Sequence, residues 1–384
     1  MSHTFPRGKT AIVAASTFGC GAMPGYSNVE LAHSAAIAAL AQVGLRPRDV
    51  DGLAVVLMDD PTAGLSFAEA LGIHPSFLSN NRTGGSSFQT HATMAALALD
   101  AGLCEVVLIA YGSNQRSTAG KLVRAPRASP WESAYKPLTP VSSYAMAAAR
   151  HMHQFGTTKA QLGAVAIAAR QWAQLNPEAF LREPLTMAEY LSARLVADPF
   201  SVRDCCLVTD GAGAVIMTRA ERAKTLCPRP AYLLAGAESS THREIANMAD
   251  LTVTGVVQAA QRAYVQAGFG PKDVDVVELY DAFTINTILF LEDIGFCKKG
   301  EGGSFVEGGR IAPGGQLPVN TNGGGLSCVH PGMYGLFTMI EATQQIMGVA
   351  GARQQAKADV IIAQGNGGEL SHEAVLILGS GATV

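Results

Sequence analysis

The feature that most constrains this chain is a segment that occurs in it twice. Residues 41–53, AQVGLRPRDVDGL, match residues 265–277, VQAGFGPKDVDVV, with the glycine, the proline and the Asp-Val-Asp triplet in register. A second pair, EVVLIAYGSN at 105–114 and ADVIIAQGNG at 358–367, follows a helical pattern in both copies. Turn chemistry of the type Gly-x-x-Pro-x-Asp also recurs by chance, but here the order of elements repeats as well. We therefore predict a duplicated fold with pseudo-twofold symmetry.

Strand and helix patterns alternate through the first 115 residues. An apolar run at 9–16 predicts a buried strand, and small apolar residues at helical spacing predict helices at 30–43 and 88–103. The second helix is followed by an apolar run at 104–113, which predicts a strand buried on both faces. This alternation indicates an α/β protein with a parallel or mixed sheet and helices packed on it.

The length of 384 residues predicts two similar lobes, because one simple core rarely grows so large. We assign residues 1–226 to the first half and residues 227–384 to the second. Residues from about 114 to 203 differ in character, since a stretch rich in proline, serine and arginine precedes two helical patterns. This region is predicted to be a loop domain inserted into the first half.

Charge is sparse in this sequence. Hydrophobic residues make up 48% and charged residues 15%, which is typical of a compact α/β protein with a broad subunit contact. The net charge of −3 provides no basic stripe and argues against nucleic acid as a partner. One basic cluster, Lys121, Arg124 and Arg127, either meets the phosphates of a nucleotide-like cofactor or forms a solvated face or an interface.

The chain has neither an apolar leader sequence at its start nor an apolar run of the roughly 18 residues that a membrane span needs. We therefore expect a cytoplasmic protein without a membrane segment. Its seven cysteines include no Cys-x-x-Cys pair, so we expect reduced thiols and no metal site.

A glycine-rich loop, PVNTNGGGLSCVHPGMYG at 318–335, is the strongest candidate for a functional site. Three consecutive glycines, 323–325, allow the backbone to turn sharply or to lie close against a ligand. His330 precedes a proline and an apolar helical pattern, so it is predicted to lie at a loop-to-helix junction. Because a helix N-terminus favours developing negative charge, this position suits acid/base chemistry.

Together with the duplication, four stretches give the chain a resemblance to a known family. They are NTNGGGLSCVHPGMYG at 320–335, VVELYDAF at 276–283, FGTTKAQLGAVAIAA at 155–169 and LVTDGAGAVIM at 207–217. With these motifs the chain resembles the thiolase superfamily, and within it the sterol-carrier-type thiolase-like branch. The resemblance implies a five-layered αβαβα architecture, a homodimer or tetramer, and a coenzyme A thioester as substrate, with no permanently bound cofactor.

The departures from the thiolase pattern restrict the chemistry. Thiolases carry a nucleophilic cysteine at the start of the central helix of the first half, but the corresponding segment here, residues 79–91, contains none. The late Cys-x-Gly turn is replaced by QGNGG at 364–368, and the Asn-Glu-Ala-Phe loop by Tyr-Asp-Ala-Phe at 280–283. Ser86 and Ser87 stand near the nucleophile position, but no base is evident beside them in the sequence, so we interpret them as helix N-caps.

The remaining candidates are His330, Tyr280, Asp281 and Tyr334, which suit proton transfer with stabilisation of an oxyanion. Thiolase-like aldolases that shorten steroid side chains are similar in their Tyr-Asp-Ala-Phe loop and in a tyrosine after His-Pro-Gly. This resemblance implies that Tyr280 and Tyr334 are a catalytic pair and that His330 is an oxyanion donor or a relay. Alternatively, the two tyrosines are core residues and Asp281 only caps a helix.

We expect the substrate to lie against the start of the first central helix and against two glycine-rich turns. The substrate-binding residues predicted there are Ser86, Ser87, Asn322, Gly323, Gly324, Asn366 and Gly367.

The leading prediction is therefore retro-aldol cleavage of a β-hydroxyacyl-CoA without a cysteine, in lipid, steroid or aromatic-acid catabolism. An acetyl-CoA acetyltransferase-like acyl transfer through Ser86 or Ser87 and a non-catalytic lipid-transfer or scaffold subunit are the alternatives. The resemblance to the aldolases also implies a small partner protein, built from a zinc ribbon and an OB-fold, that would hold any zinc itself.

Overall fold

A computed structural model describes residues 5–119 and 130–384 of the chain, and the predicted cluster of Lys121, Arg124 and Arg127 lies outside them. The strands are β1 Thr10–Gly21, β2 Gly52–Leu57, β3 Phe77–Ser79, β4 Val106–Ser113, β5 Leu195–Ala197, β6 Phe200–Ser201, β7 Asp210–Arg219, β8 Ala231–Ser240, β9 Val276–Glu278, β10 Val360–Gly367 and β11 His372–Gly379. The helices are α1 Asn28–Gln42, α2 Ala63–Leu71, α3 Ser87–Asp100, α4 Gln115–Ala119, α5 Val141–Phe155, α6 Lys159–Gln174, α7 Met187–Leu191, α8 Ala220–Leu226, α9 Val256–Ala267, α10 Thr284–Ile294, α11 Gly302–Phe305 and α12 Gly335–Met347.

Nine strands form one mixed sheet in the order β3-β2-β4-β7-β1-β8-β11-β10-β9. Its two groups, β3-β2-β4-β7-β1 and β8-β11-β10-β9, join only through a short antiparallel contact in which Ala11 faces Tyr232 and Ile12 faces Ala231. Within the first group β2 runs parallel to β3 and β4, and within the second β9 runs parallel to β10. The predicted mixed sheet is confirmed, with one group of strands in each half of the chain.

The helices pack in layers around these two groups of strands. Helices α3 and α12 contact strands of both groups, whereas α1 contacts the first group and α9 the second. Helix α12 is buried on nearly all sides, as a helix enclosed between two sheets must be. The order helix, sheet, helices, sheet, helix is the five-layered αβαβα architecture that the sequence predicted.

The second aspartate of the repeated Asp-Val-Asp triplet makes the same type of backbone hydrogen bond in both halves. Asp51 precedes β2 and accepts hydrogen bonds from the backbone N–H groups of Glu105 and Val106, at the start of β4. Its counterpart Asp275 precedes β9 and accepts them from Asp359 and Val360, at the start of β10. Each carboxylate therefore ties the strand that follows it, β2 or β9, to a parallel neighbour, β4 or β10.

Two predicted boundaries are wrong by a few residues. The helix predicted at 88–103 is α3, which ends at Asp100, and the strand predicted at 104–113 begins at Val106. Gly102 has a φ of 71°, a left-handed conformation that cannot continue a helix, and it turns the chain toward the sheet. The helix predicted at 30–43 is confirmed as α1, which begins after a capping box formed by Ser27 and Glu30.

The region between β4 and β7 contains α4 to α7 and a two-stranded sheet of β5 and β6. Helix α6 packs on a π-helical turn, Gly324–Cys328, which belongs to the glycine-rich loop. Helix α5 brings Tyr144 to the same part of the molecule, where Tyr144 stacks on Phe283 with ring centroids 4.5 Å apart. In the described parts of the chain, no helix has the length and apolar character that crossing a bilayer requires.

Candidate active site

A cavity of about 860 Å³ opens where β9 and β10 end, beside the first turn of α3. Three predicted site residues, Tyr280, His330 and Asn366, line it together with Gly84 and Gly85. The other predicted site residues are buried behind this wall. They are Tyr334, Asp281, Ser86, Ser87, Asn322, Gly323, Gly324 and Gly367.

Tyr280 and His330 form a hydrogen-bonded pair at the cavity wall. The Tyr280 Oη atom lies 3.1 Å from His330 Nε2, and the two rings meet edge to face with centroids 5.6 Å apart. Burial lowers the pKa of His330 to about 4, so the imidazole is neutral at pH 7. Burial also raises the pKa of Tyr280 well above its usual value, so the resting hydroxyl keeps its proton. A neutral phenol beside a neutral imidazole can pass a proton along the pair without a resting charge.

The Tyr280 ring lies against the backbone of Gly85, just before α3 begins. A Cβ atom at Gly85 would stand 1.9 Å from Tyr280 Cε2 and 2.6 Å from Cζ. Such distances are far below a carbon–carbon contact of about 3.5–4.0 Å. Any side chain at position 85 is therefore incompatible with the observed position of Tyr280, and the tyrosine occupies the space at the start of α3.

Tyr334 packs its ring against this pair, while its hydroxyl is bonded to Asn322 in the glycine-rich loop. Its ring packs against Tyr280 with centroids 5.8 Å apart and stacks on His330 at 6.4 Å. Its hydroxyl donates to Asn322 Oδ1 at 2.7 Å, and the same oxygen accepts from the Gly324 N–H at 2.8 Å. The two predicted tyrosines are thus brought together, but their hydroxyl groups have different partners.

The buried side chain of Asp281 lies against the glycine run of the loop and leaves no room for a side chain at Gly324. Its carboxylate accepts from the N–H groups of Gly325 at 2.6 Å and Leu326 at 3.4 Å, at the start of the π-helical turn. A Cβ atom at Gly324 would lie 2.0 Å from Asp281 Oδ2, and one at Gly323 would lie 2.7 Å from the Cβ of Ala173. Burial raises the pKa of Asp281 to about 7. The glycines therefore admit a buried carboxylate and a neighbouring helix.

Asn366 offers an unused acceptor to the cavity. Its Nδ2 donates to Tyr144 Oη at 2.7 Å, and Tyr144 in turn donates to the carbonyl of Gly368 at 3.1 Å. The Oδ1 atom of Asn366 is buried and has no hydrogen-bond partner within the described residues. This acceptor therefore has an unmet hydrogen-bonding capacity next to the cavity.

The two serines near the start of α3 have separate partners. Ser87 Oγ donates to the carbonyl of Gly84 at 2.6 Å and accepts from the Thr83 N–H at 2.9 Å, which closes a local turn. Ser86 is the N-cap residue of α3, as predicted, but its side chain makes no capping bond. Its Oγ lies 2.8 Å from His372 Nδ1. No base beside these serines was evident in the sequence, but the fold supplies His372 from β11 next to Ser86.

Comparison with known proteins gives this geometry a context. Residues 237–380 match the family described as Thiolase C-terminal domain-like. The 17-hydroxy-3-oxo-4-pregnene-20-carboxyl-CoA lyase of Mycobacterium tuberculosis is 33% identical over 382 residues, covering 94% of this chain and 97% of that protein. The steroid side-chain-cleaving aldolase of Thermomonospora curvata is 32% identical over 360 residues, covering 89% and 91% of the two chains.

A solved structure, the Ltp2-ChsH2(DUF35) aldolase, superposes with a TM-score of 0.89 at 30% identity and covers 97% of this chain and 98% of that one. The chain belongs to the thiolase superfamily. The predicted membership and the predicted thiolase fold are both confirmed, and so is the likeness to thiolase-like aldolases that cleave steroid side chains.

In this thiolase-superfamily enzyme one thiol does reach the cavity, at a place that the sequence did not indicate. Cys206 lines the wall, and its N–H donates to the carbonyl of Ala282 at 2.8 Å. Burial raises the pKa of the Cys206 thiol well above its usual value, and the nearby Cys205 and Asp281 act in the same direction. The thiol is therefore protonated at neutral pH and is a poor nucleophile.

Among the residues that line this superfamily member's cavity, sequence reasoning did not identify Thr83, Tyr144, Cys206 or His372 as site residues. None of them lies in a recognisable motif, and each is separated from the Tyr-Asp-Ala-Phe loop by many residues. The only signal in the sequence was the short polar run around Ser86, which contains hydroxyl groups but gives no information about their partners.

Proposed function

We propose that this protein is a lyase that cleaves a β-hydroxyacyl-CoA by a retro-aldol reaction, without a cysteine nucleophile. The observation that carries the proposal is the Tyr280–His330 pair, with a 3.1 Å contact, on the wall of a cavity whose one lining thiol has a strongly raised pKa. Proton transfer through such a pair needs no covalent intermediate.

In the proposed reaction the β-hydroxyl group of the substrate lies against Tyr280 Oη. Tyr280 takes the hydroxyl proton as it gives its own proton to His330 Nε2. The electron pair of the broken O–H bond forms the new carbonyl, the Cα–Cβ bond breaks, and its electron pair becomes the enolate of the released thioester. A proton then adds to the α-carbon, and His330 releases the proton that it took from Tyr280 to water, which completes the balance.

The start of α3 supports stabilisation of the enolate. Gly84 and Gly85 line the cavity immediately before the helix begins at Ser87. A helix N-terminus carries a partial positive charge, so it favours the negative charge that develops on the thioester oxygen. The Cβ positions of both glycines are filled, at Gly85 by the Tyr280 ring and at Gly84 by the backbone of Gly367 and Gly368, so this wall is packed tightly around the start of the helix.

Tyr334 supports the Tyr280–His330 pair, and Asp281 in turn supports Tyr334. With its hydroxyl on Asn322 Oδ1 and its ring against both Tyr280 and His330, Tyr334 connects the catalytic pair to the glycine-rich loop. Asp281 fixes the turn that follows Asn322 through its bond to the Gly325 N–H. Asn322, Gly323 and Gly324 act on the substrate only indirectly, because they position Tyr334 and Asp281.

The proposed substrate is an acyl-CoA thioester with a bulky acyl part. Two similar proteins are named as a lyase of a steroid-derived carboxyl-CoA and as a steroid side-chain-cleaving aldolase. A cavity of about 860 Å³ lies within the range of sites for drug-sized ligands. Arg82, Lys136 and Arg243 also line it and supply positive charge for the phosphates of coenzyme A.

A small partner protein with an OB-fold and a zinc ribbon, and assembly into a homodimer or tetramer, are further parts of the proposal. The similar aldolase structure carries two names, Ltp2 and ChsH2(DUF35), which supports a two-protein assembly. Beside the cavity-lining residues Glu132 and Lys136, Trp131 is 85% exposed and Tyr135 is 87% exposed. Large exposed aromatic side chains are typical of protein interfaces.

The test is cleavage of a β-hydroxyacyl-CoA by the full-length protein, alone and with a candidate OB-fold partner, followed by detection of the ketone or aldehyde. The Tyr280→Phe variant should lose about 10²–10⁴-fold of the rate, because the ring remains and only the proton-transferring hydroxyl is removed. Tyr26→Phe, at a half-exposed tyrosine that is not part of the cavity wall, is the matched control. Unchanged activity of Tyr280→Phe would contradict the mechanism.

Acyl transfer through Ser86 is the second candidate, favoured by the 2.8 Å contact between Ser86 Oγ and His372 Nδ1. This contact provides the base that a serine nucleophile requires. However, Ser86 has no exposed surface, so a thioester carbonyl cannot reach it from the cavity. Mass spectrometry after incubation with acetoacetyl-CoA separates the two functions, since an acyl adduct on residues 79–91 is expected only for acyl transfer.

A further inference from the structure

Three side chains form a continuous hydrogen-bonded chain beside the cavity. Ser86 Oγ stands between His372 Nδ1, at 2.8 Å, and Thr83 Oγ1, at 3.0 Å. Both outer members, Thr83 and His372, line the cavity, whereas Ser86 is fully buried between them. Hydroxyl groups both donate and accept protons, so the chain can pass a proton in either direction.

The His372 end of this chain leads to solvent. The other ring nitrogen, Nε2, lies 3.6 Å from Glu238 Oε2, and the Glu238 side chain is 47% exposed. Thr90 Oγ1 donates to the same carboxylate oxygen and holds it beside the imidazole. A proton lost from His372 can therefore be replaced from water through Glu238.

The Thr83 end of the chain leads to the substrate. Ser86 cannot itself reach a ligand, because Gly367 covers it: a Cβ atom at Gly367 would lie 2.4 Å from Ser86 Oγ. Thr83 stands two residues before Gly85, which abuts the Tyr280 ring. Two residues span at most about 7 Å. Thr83 is therefore on the same wall as the proposed catalytic tyrosine and is the only member of the chain whose hydroxyl stands between Ser86 and the cavity.

We propose that Thr83, Ser86 and His372 form a proton relay that protonates the α-carbon of the enolate released by carbon–carbon cleavage, an inference that rests on the proposed lyase function. The enolate carbon takes the proton of Thr83 Oγ1 and forms the new C–H bond. Thr83 takes the proton of Ser86, and Ser86 takes the Nδ1 proton of His372. His372 gains a proton at Nε2 from water at Glu238 and is left as its Nε2–H tautomer. After the product leaves, water in the cavity returns the hydroxyl groups and Nδ1 to their starting protonation, and His330 gives the proton that it took from Tyr280 to water.

In this proposal Thr83 delivers the proton to the substrate and is therefore the catalytic residue of the relay. Ser86 and His372 act through it as positioning residues, although His372 also lines the cavity. The relay gives the enzyme two separate proton sites on one cavity. Tyr280 and His330 remove the proton from the hydroxyl oxygen, and Thr83 delivers a different proton to carbon. With a single site, one group would have to remove a proton from the hydroxyl oxygen and also deliver a proton to the α-carbon. These two atoms lie on opposite sides of the Cα–Cβ bond that breaks.

The experiment measures hydrogen exchange at the α-carbon of a simple thioester. Exchange requires the relay to remove a proton from the α-carbon and then to return a deuteron to it, and this return is the proposed final step of cleavage. The full-length protein is incubated with acetyl-CoA in D₂O, and deuterium entering the acetyl group is followed by NMR. The unchanged protein should catalyse exchange. Thr83→Val and Ser86→Ala should each reduce the exchange rate by about 100-fold or more, because each interrupts the relay.

Chemical rescue separates a relay from a purely structural role of His372. The His372→Ala variant should lose exchange, and imidazole added to the buffer should restore it, because free imidazole can occupy the vacated space. His33→Ala, at a half-buried histidine on α1, is the matched control and should neither lose exchange nor respond to imidazole. Circular dichroism and thermal melting verify that each variant is folded.

Each outcome decides one question. Absence of exchange with the unchanged protein, or full exchange in folded Thr83→Val and Ser86→Ala, overturns the relay. Loss of exchange in His372→Ala without rescue by imidazole, while Thr83→Val and Ser86→Ala exchange normally, also overturns it. Exchange that depends on all three residues in a protein that cleaves no β-hydroxyacyl-CoA supports the relay and contradicts the lyase function, so the two failures are distinguishable.

Discussion

The substitution Gly85→Ala tests the steric basis of the site. The backbone of Gly85 is not left-handed, so alanine fits its conformation, and the effect comes from the added methyl group alone. That methyl group would stand 1.9 Å from Tyr280 Cε2 and 2.8 Å from the carbonyl oxygen of Asn366. To restore a carbon–carbon contact of about 3.5 Å, the Tyr280 ring must shift by about 1.6 Å.

A shift of this size separates the catalytic pair. The contact between Tyr280 Oη and His330 Nε2 is 3.1 Å, and beyond about 3.5 Å it is no longer a hydrogen bond. We therefore expect the cleavage rate of Gly85→Ala to fall by about 10²–10⁴-fold, or about 3–5 kcal/mol in the activation barrier. Overpacking of the buried wall should also reduce the free energy of unfolding by about 1–3 kcal/mol.

The assay combines kinetics with a double-mutant cycle. Urea unfolding is measured for Gly85→Ala, Tyr280→Ala and the double variant. The two single effects should be strongly non-additive, because removal of the ring relieves the 1.9 Å clash and leaves only the 2.8 Å approach to the Asn366 carbonyl oxygen. Gly270→Ala is the control, since its added methyl group would meet only Asp273 Oδ2, at 3.9 Å. Normal activity and stability of Gly85→Ala, or additive effects in the cycle, would refute the reasoning.

Two further predictions concern the residues behind the wall. Tyr334→Phe should lower kcat and leave the KM for the acyl-CoA unchanged, because its hydroxyl holds Asn322 and does not line the cavity; a raised KM with unchanged kcat in steady-state assays would contradict this. Burial raises the pKa of Asp281 to about 7, so the folded protein holds a proton that the unfolded chain releases between about pH 4 and pH 7. The stability from this proton is full below about pH 4 and is lost as the pH rises to about 7. Relative to the parent, Asp281→Asn should therefore be more stabilising at pH 8 than at pH 4 in urea unfolding, and an equal difference at both values would contradict it.

Much of the fold was predictable because it depends on local patterns. The duplicated segment identified two equivalent halves, and its Asp-Val-Asp triplet proved to bind the neighbouring strand in both, through Asp51 and Asp275. Helix α1 was predicted from small apolar residues at helical spacing. Errors occurred at boundaries such as Gly102, where a positive φ decides the last turn of a helix.

The candidate site was predictable only in part. Tyr280 and His330 lie in motifs with a family resemblance, so they were identified although 50 residues separate them. His372 was not identified, because its partner Ser86 is 286 residues away and no motif links the two. The glycine run was predicted to turn sharply or to lie close against a ligand. In the structure it forms a π-helical turn, and the absence of a side chain at Gly324 makes room for the carboxylate of Asp281.

The sequence by itself determined the class of fold, the loss of the thiolase cysteines and the identity of the residues available for proton transfer, since these follow from composition, periodicity and motif. Only the tertiary structure decided which of those residues share a cavity, which tyrosine hydroxyl meets the imidazole, and where a second histidine supports a buried serine. The physical reason is that hydrogen bonds and steric contacts act over a few ångströms in space. The fold sets those distances by packing strands and helices from remote parts of the chain.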